Sequence, residues 1–125
     1  MLTKLMLFAV MLEAHIIVDF HMQGLLAKLK QRSEWVSHPD YNDMYKNDWV
    51  IAMWLHAFEW TFVVMLPLAY LHHWEITNAF AISFMVNMVI HAATDHLKAN
   101  MRDISLVVDQ VIHVLQIVAM IYSLS

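Results

Sequence analysis

Residues 89–98 read Val89-Ile90-His91-Ala92-Ala93-Thr94-Asp95-His96-Leu97-Lys98, a histidine and a carboxylate four positions apart at the end of a long apolar run. Ionisable groups are costly in such a run. If it crosses a bilayer, each costs about 2.5 to 3.5 kcal/mol at the centre, so their presence points to function rather than packing. Positions i and i+4 stack on one helix face, which sets His91 beside Asp95. The same spacing recurs in His15 and Asp19 at the close of the first apolar run and, reversed, in Asp109 and His113 at the opening of the last. His56, with Glu59 three positions on, occupies the remaining run.

These runs decide the class. Of 125 residues, 61% are hydrophobic, 14% are charged and one is glycine, and the mean hydropathy is +0.54. A soluble domain of this length keeps a charged surface, which this composition cannot supply. A spanning helix needs about 20 mostly apolar residues, and roughly four stretches qualify: 2–22, 49–71, 76–97 and 104–124. The fold expected is all-α: a polytopic four-helix transmembrane bundle, with the whole chain, 1–125, as one domain. The first run carries Glu13, His15 and Asp19 and lacks a small-residue cleavage pattern, so it reads as a retained span rather than a signal peptide. Without cysteine, disulfides and thiolate metal sites are excluded, and any metal must be held by His, Asp or Glu.

The one long polar stretch is the connection at about 24–48. Leu25, Leu26 and Leu29 alternate with Lys28, Lys30 and Arg32, which predicts a short interfacial helix with a basic face, for topological anchoring or for docking anionic lipid. Ser37-His38-Pro39-Asp40-Tyr41-Asn42-Asp43 reads as a turn-rich loop flanked by the interfacial aromatics Trp35, Tyr41, Tyr45 and Trp49. Lys28, Lys30, Arg32 and Lys46 in this connection, with Lys98 and Arg102 in the third, fall on one side of a four-span topology; the other side has Lys4. The positive-inside rule then places both basic connections in the cytoplasm and both termini outside. The partners expected are the lipid bilayer, anionic lipid among them, and further copies of the chain, with no nucleic acid.

Depth turns the pairs into a site. His15, His56, His91 and His113 lie about six to nine residues in from the basic ends of their helices, roughly 9 to 14 Å along each axis. Four helices thus point imidazoles and carboxylates at one layer. His15, Asp19, His56, His91, Asp95, Asp109 and His113 form a candidate metal centre, with Glu59 a further candidate, as bundle cores build such sites from inward-facing carboxylates and histidines. No Lys or Arg falls within the runs except Lys4 and Lys98 at helix ends, so bound protons or one or two divalent ions must neutralise the carboxylates. Nitrogen and oxygen donors without sulfur suit zinc, manganese or iron. The alternatives are a metal-free, proton-linked network and incidental placement. Asn87 and Gln116 extend the polar face deeper. Gln110 is placed to orient a ligand or bond a neighbouring helix, and His96 to support the centre or sit at the interface. Glu13 points away, His72, His73 and Trp74 mark the other interface, and the eleven methionines read as flexible packing.

The pattern His15-x-x-x-Asp19-Phe20-x-x-Gln23, His56-Ala57, His91-x-x-x-Asp95-x-x-Lys98 and Asp109-Gln110-x-x-His113 resembles the small bacterial and phage membrane family called domain of unknown function 3307. The likeness runs over nearly the whole chain, which departs from the family in its longer charged first loop and its many methionines. That family pattern is similar to the membrane-bound metal-dependent hydrolases of bacterial inner membranes. The resemblance therefore implies an inner-membrane hydrolase acting at the cytoplasmic surface on a lipid or phosphoester. In this reading Asp95 or Asp109 is the general base and Lys98 holds an anionic substrate. A proton or metal-ion transporter and a non-enzymatic membrane partner with a structural metal are the other classes open to the same residues. The hydrolase predicts a water-accessible cavity on the cytoplasmic side lined by Asp19, His91, Asp95, Asp109 and His113.

Overall fold

The computed structural model describes residues 3–38 and 43–125, so the 39–42 part of the expected turn, Tyr41 included, and the first residue of the first run, Leu2, lie outside the described residues. All described secondary structure is helical. Three of the four long helices begin on a hydroxyl. Thr3 accepts from the Met6 N–H and opens α1 (Lys4–Ile16), Thr77 accepts from Phe80 and opens α5 (Asn78–His96), and Ser105 accepts from Val108 and opens α6 (Leu106–Leu124). Each such cap contributes about 1 kcal/mol by satisfying an orphan donor. The fourth long helix, α4 (Asp48–Leu71), follows the polar connection. It contains Pro67 one turn from its end and stops in a turn where His73 and Trp74 both take positive φ.

α1 and α5 do not end as α-helices. α1 widens into a π-helical turn at Ile17–Met22, which contains Asp19, and α5 into another at Leu97–Met101, immediately after Asp95. Wide turns of this kind are rare and gather at functional sites. Gly24, the only glycine in the chain, takes a φ of +42° and redirects the chain after the first of them. Two short helices follow, α2 (Leu26–Leu29) and α3 (Arg32–Val36), and together they form a strap packed against α4.

The long helices form a ring in which α4 touches α1 and α5, and α6 touches α1 and α5. The strap and the α5–α6 connection lie at one end, the basic end, and both described termini at the other. The core is divided along its length. Towards the termini it is apolar, built from residues including Leu7, Met11, Val64, Leu68, Ile117 and Met120; towards the basic end histidines and aspartates are buried beside a small apolar cluster of Met53, Ala57 and Ala92.

Three stretches, Lys4–Met22, Asp48–Leu71 and Leu106–Leu124, are long and apolar enough to cross a membrane, as an integral membrane protein requires. α5 is the exception. Its hydropathy is lowered by Asn87, His91, Thr94 and Asp95, all of which are buried, while Ile82, Met85, Val86 and Val89 face outward. Large exposed apolar side chains cover the other helices too, among them Leu5, Leu55, Phe58, Phe62, Val111 and Leu115. Polar inside and apolar outside is the reverse of the distribution in a water-soluble bundle.

Candidate metal centre

The i, i+4 spacing brings each pair together as expected. His15 Nδ1 lies 3.6 Å from Asp19, His91 Nε2 3.6 Å from Asp95, and His113 Nε2 3.4 Å from Asp109. Ring closure then joins the pairs. His56 Nε2 sits 3.3 Å from Asp19 Oδ1 and 3.4 Å from Asp95 Oδ2, and His113 Nε2 lies 3.5 Å from Asp95 Oδ1. Two groups of three donors result, Asp19 with His56 and His91, and His91 with Asp95 and His113, and each could hold a metal ion.

The distances discriminate between readings. Good hydrogen bonds to a carboxylate are about 2.7 to 3.0 Å long, whereas two donors bound to one tetrahedral ion at about 2.0 to 2.2 Å stand about 3.3 to 3.6 Å apart. Most of the contacts here are of the second kind. Hydrogen bonding leaves the same atoms unused: Asp19 Oδ1, Asp109 Oδ1, His113 Nε2 and both ring nitrogens of His56 and of His91 are buried without a partner. Each such atom costs about 1 to 3 kcal/mol, and one nitrogen of each of these histidines belongs to a donor group. The donor set fits a divalent ion of the zinc, manganese or iron type, though nothing in it selects among these.

A shell of side chains aims these donors. His113 Nδ1–H donates to Gln116 Oε1 at 3.0 Å, and Gln116 Nε2 donates to the backbone oxygen and Oδ1 of Asn87, which itself bonds Ser83. The proton on Nδ1 leaves the Nε2 lone pair facing the carboxylates. On the other side Trp60 Nε1–H donates to His15 Nδ1 at 2.8 Å, so His15 donates through Nε2 to Gln110 Oε1 at 2.9 Å. The Gln110 amide then donates to Asp109 Oδ2 at 3.0 Å and, at 3.5 Å, to Asp19 Oδ2. His15, placed among the ligands by its spacing, thus has both ring nitrogens engaged and lies beside the two donor groups. Asp109 touches His113 from outside both, and Glu59 belongs to neither.

No family model, curated protein or solved structure matches this chain. The centre therefore rests on its own geometry.

Two expectations need correction. Lys30, read as part of an exposed basic face, turns inward, is 5% exposed and sets Nζ 2.6 Å from Asp95 Oδ2 and 3.0 Å from Gln23 Oε1. Lys98 Nζ lies 2.8 Å from Asp109 Oδ2. The carboxylates are therefore not without internal cations; Lys28 and Arg32 alone keep the exposed basic face. The water-accessible cavity is the second correction. Asp19, His91, Asp95, Asp109 and His113 are each 5% exposed or less, and the strap closes the basic end over them. Asn100 clasps that strap, accepting from the Arg32 N–H at 2.7 Å and donating to the Lys30 carbonyl at 3.1 Å. It also donates to His96 Nδ1, while the His96 ring stacks on Trp49 with centroids 5.3 Å apart, which places His96 at the edge of the bundle.

Trp60 and Asn100 had no assigned role in the sequence, Gln23 entered only through the family pattern, and Lys30 was assigned to the basic face. Trp60 alone had a local signal, since it follows His56 by four positions on the same face; its ring lies 4.3 Å from that of His91.

Proposed function

We propose that this chain is a four-helix integral membrane protein of the bacterial inner membrane, with both termini outside, and a metal-dependent hydrolase acting at the cytoplasmic surface, its centre lying beneath the strap on that side. The convergence of His56, His91 and His113 with Asp19 and Asp95 in two adjoining buried donor groups, in which Asp19 Oδ1, His56 Nε2, His91 Nε2 and His113 Nε2 have no hydrogen-bond partner, carries the reading. That α5 spans is supported by its exposed apolar face, because Asn87, His91, Thr94 and Asp95 in its middle and lower turns are buried away from lipid.

A divalent ion in this donor set supplies Lewis acidity, polarising a scissile ester and acidifying water. The chain supplies the rest. Asp109 is held through Oδ2 by Lys98 and Gln110 and keeps Oδ1 free, 3.4 Å from His113, which suits it to accept a proton as general base. Asp95 belongs to a donor group, which suits it to ligation. The polar chain runs from His113 through Gln116 and Asn87 to Ser83. Entry for water and substrate is at the basic end, past the strap.

The test begins with metal analysis of the purified protein against a His91→Ala, Asp95→Ala double variant. Stoichiometric zinc, manganese or iron is expected in the former and less than about a tenth of it in the latter. Liposome-reconstituted protein is then assayed for ester and phosphoester cleavage alongside proton and metal flux. Metal-dependent cleavage lost in the double variant is expected; flux without any cleavage would sink the hydrolase reading, and equal trace metal in both proteins would sink the metal centre.

A further inference from the structure

Lys30 and Lys98 are held by two different elements, the strap and the π-turn of α5, yet both ammonium groups end on carboxylates of the centre from its basic end. Counting imidazoles as neutral, the charges at the centre are three buried carboxylates against two ammonium groups, the buried one of Lys30 and the partly exposed one of Lys98, an excess of one negative charge. One divalent ion turns that into an excess of one positive charge, and two ions into an excess of three. An uncompensated positive charge in a low-dielectric interior costs as much as a negative one. Metal therefore cannot complete this centre alone; it exchanges a missing cation for a missing anion.

We propose that metal loading turns the basic end of the centre into a binding site for a phosphate-type oxyanion, held by Lys30 and Lys98. This rests on the metal-centre reading above and adds to it a ligand class and an order of binding. Each lysine carries three donors on a compact charge, and Lys30 has two of them on Asp95 and Gln23. Without metal both ammonium groups are already neutralised by Asp95 and Asp109, and an anion finds no free charge. Once the carboxylates are shared with an ion, the same two groups are in excess. A phosphate monoester dianion leaves the centre within one charge of neutral for either metal count, −1 with one ion and +1 with two, and has enough oxygens to be shared by two lysines, whereas a carboxylate monoanion is neutral with one ion and leaves +2 with two. Entry fits Lys98, whose side chain is 29% exposed where that of Lys30 is 6%.

Linkage makes this testable without turnover, because an anion that binds better to the metal-loaded protein must raise metal affinity by the same factor. Zinc affinity of the full chain in detergent is measured by competition with a chromophoric chelator, alone, with inorganic phosphate and with acetate. Vesicles of phosphatidic acid and of phosphatidylcholine form a second arm. Phosphate or phosphatidic acid is expected to tighten zinc binding about tenfold or more, and acetate and phosphatidylcholine to leave it within about twofold. Tightening by phosphatidic acid alone supports the site and identifies a lipid headgroup as the source. In Lys98→Met, at the half-exposed position least able to disturb folding, and in Lys30→Met, the tightening is expected to fall below about threefold while zinc still binds. Zinc binding indifferent to both phosphate sources overturns the oxyanion site and leaves the metal centre standing, as does tightening that survives in both lysine variants. Absence of zinc binding in the wild-type chain overturns both.

Discussion

His113 has one ring nitrogen committed before any ion arrives. Its Nδ1–H is taken by Gln116, and Gln116 is in turn fixed by Asn87, so the lone pair on Nε2 is presented to the carboxylates in one tautomer and one orientation. Replacing Gln116 by Leu keeps its volume and removes the acceptor. Zinc affinity is expected to fall about 10- to 100-fold, with Gln116→Glu recovering most of it, since groups that orient a metal-binding histidine carry effects of that size. Competition titration checks this, alongside circular dichroism to show that the helices are intact; an affinity within twofold of wild type would remove Gln116 from the centre. Residues on one helix were readable from spacing: His91 with Asp95 and Asp109 with His113 need only the helical repeat. Lys30 was not. Its partner lies 65 positions away, and until the strap folds back nothing distinguishes it from Lys28, which remains exposed.

At the scale of elements, the strap depends on how the chain leaves α1. Gly24 makes that exit at a φ of +42°, and a Cβ placed there meets nothing closer than the Met22 carbonyl at 3.8 Å. A Gly24→Ala change is therefore strained but not crowded, and its cost is the left-handed backbone alone, about 1 to 2 kcal/mol. Unfolding in mixed micelles is expected to show a loss of that size, with Gly24→Asn losing less because Asn tolerates this region better. Wild-type stability of the Ala variant would mean that the turn is not held as described. The four long helices follow from their apolar runs, and Thr3, Thr77 and Ser105 stand where capping predicts. The π-turns do not follow from any local pattern. They arise where Asp19 and Asp95 are drawn inward by partners on other helices, which a periodicity argument cannot contain.

For the whole molecule, helix hydropathy and the apolar runs give different counts of spans. The mean hydropathy of the described helices admits three, because α5 is diluted by its own buried polar face; the four apolar runs of the sequence admit four, and what α5 shows to its surroundings is apolar. Three spans put the termini on opposite sides and four put them together, so labelling separates the two. Ser37→Cys and Ser125→Cys, both at exposed positions, are expected to react from opposite sides, Ser37 from the cytoplasm and Ser125 from outside. Reaction of both from the cytoplasm removes the four-span arrangement. The lengthwise division of the core then has a consequence for the membrane that surrounds it. Trp60, Val64, Leu68, Ile117 and Met120 close the half of the bundle nearer the termini without a gap in their burial. In the proposed membrane arrangement this apolar half stands between the charged half and the far face of the bilayer, as an insulating layer in series with it.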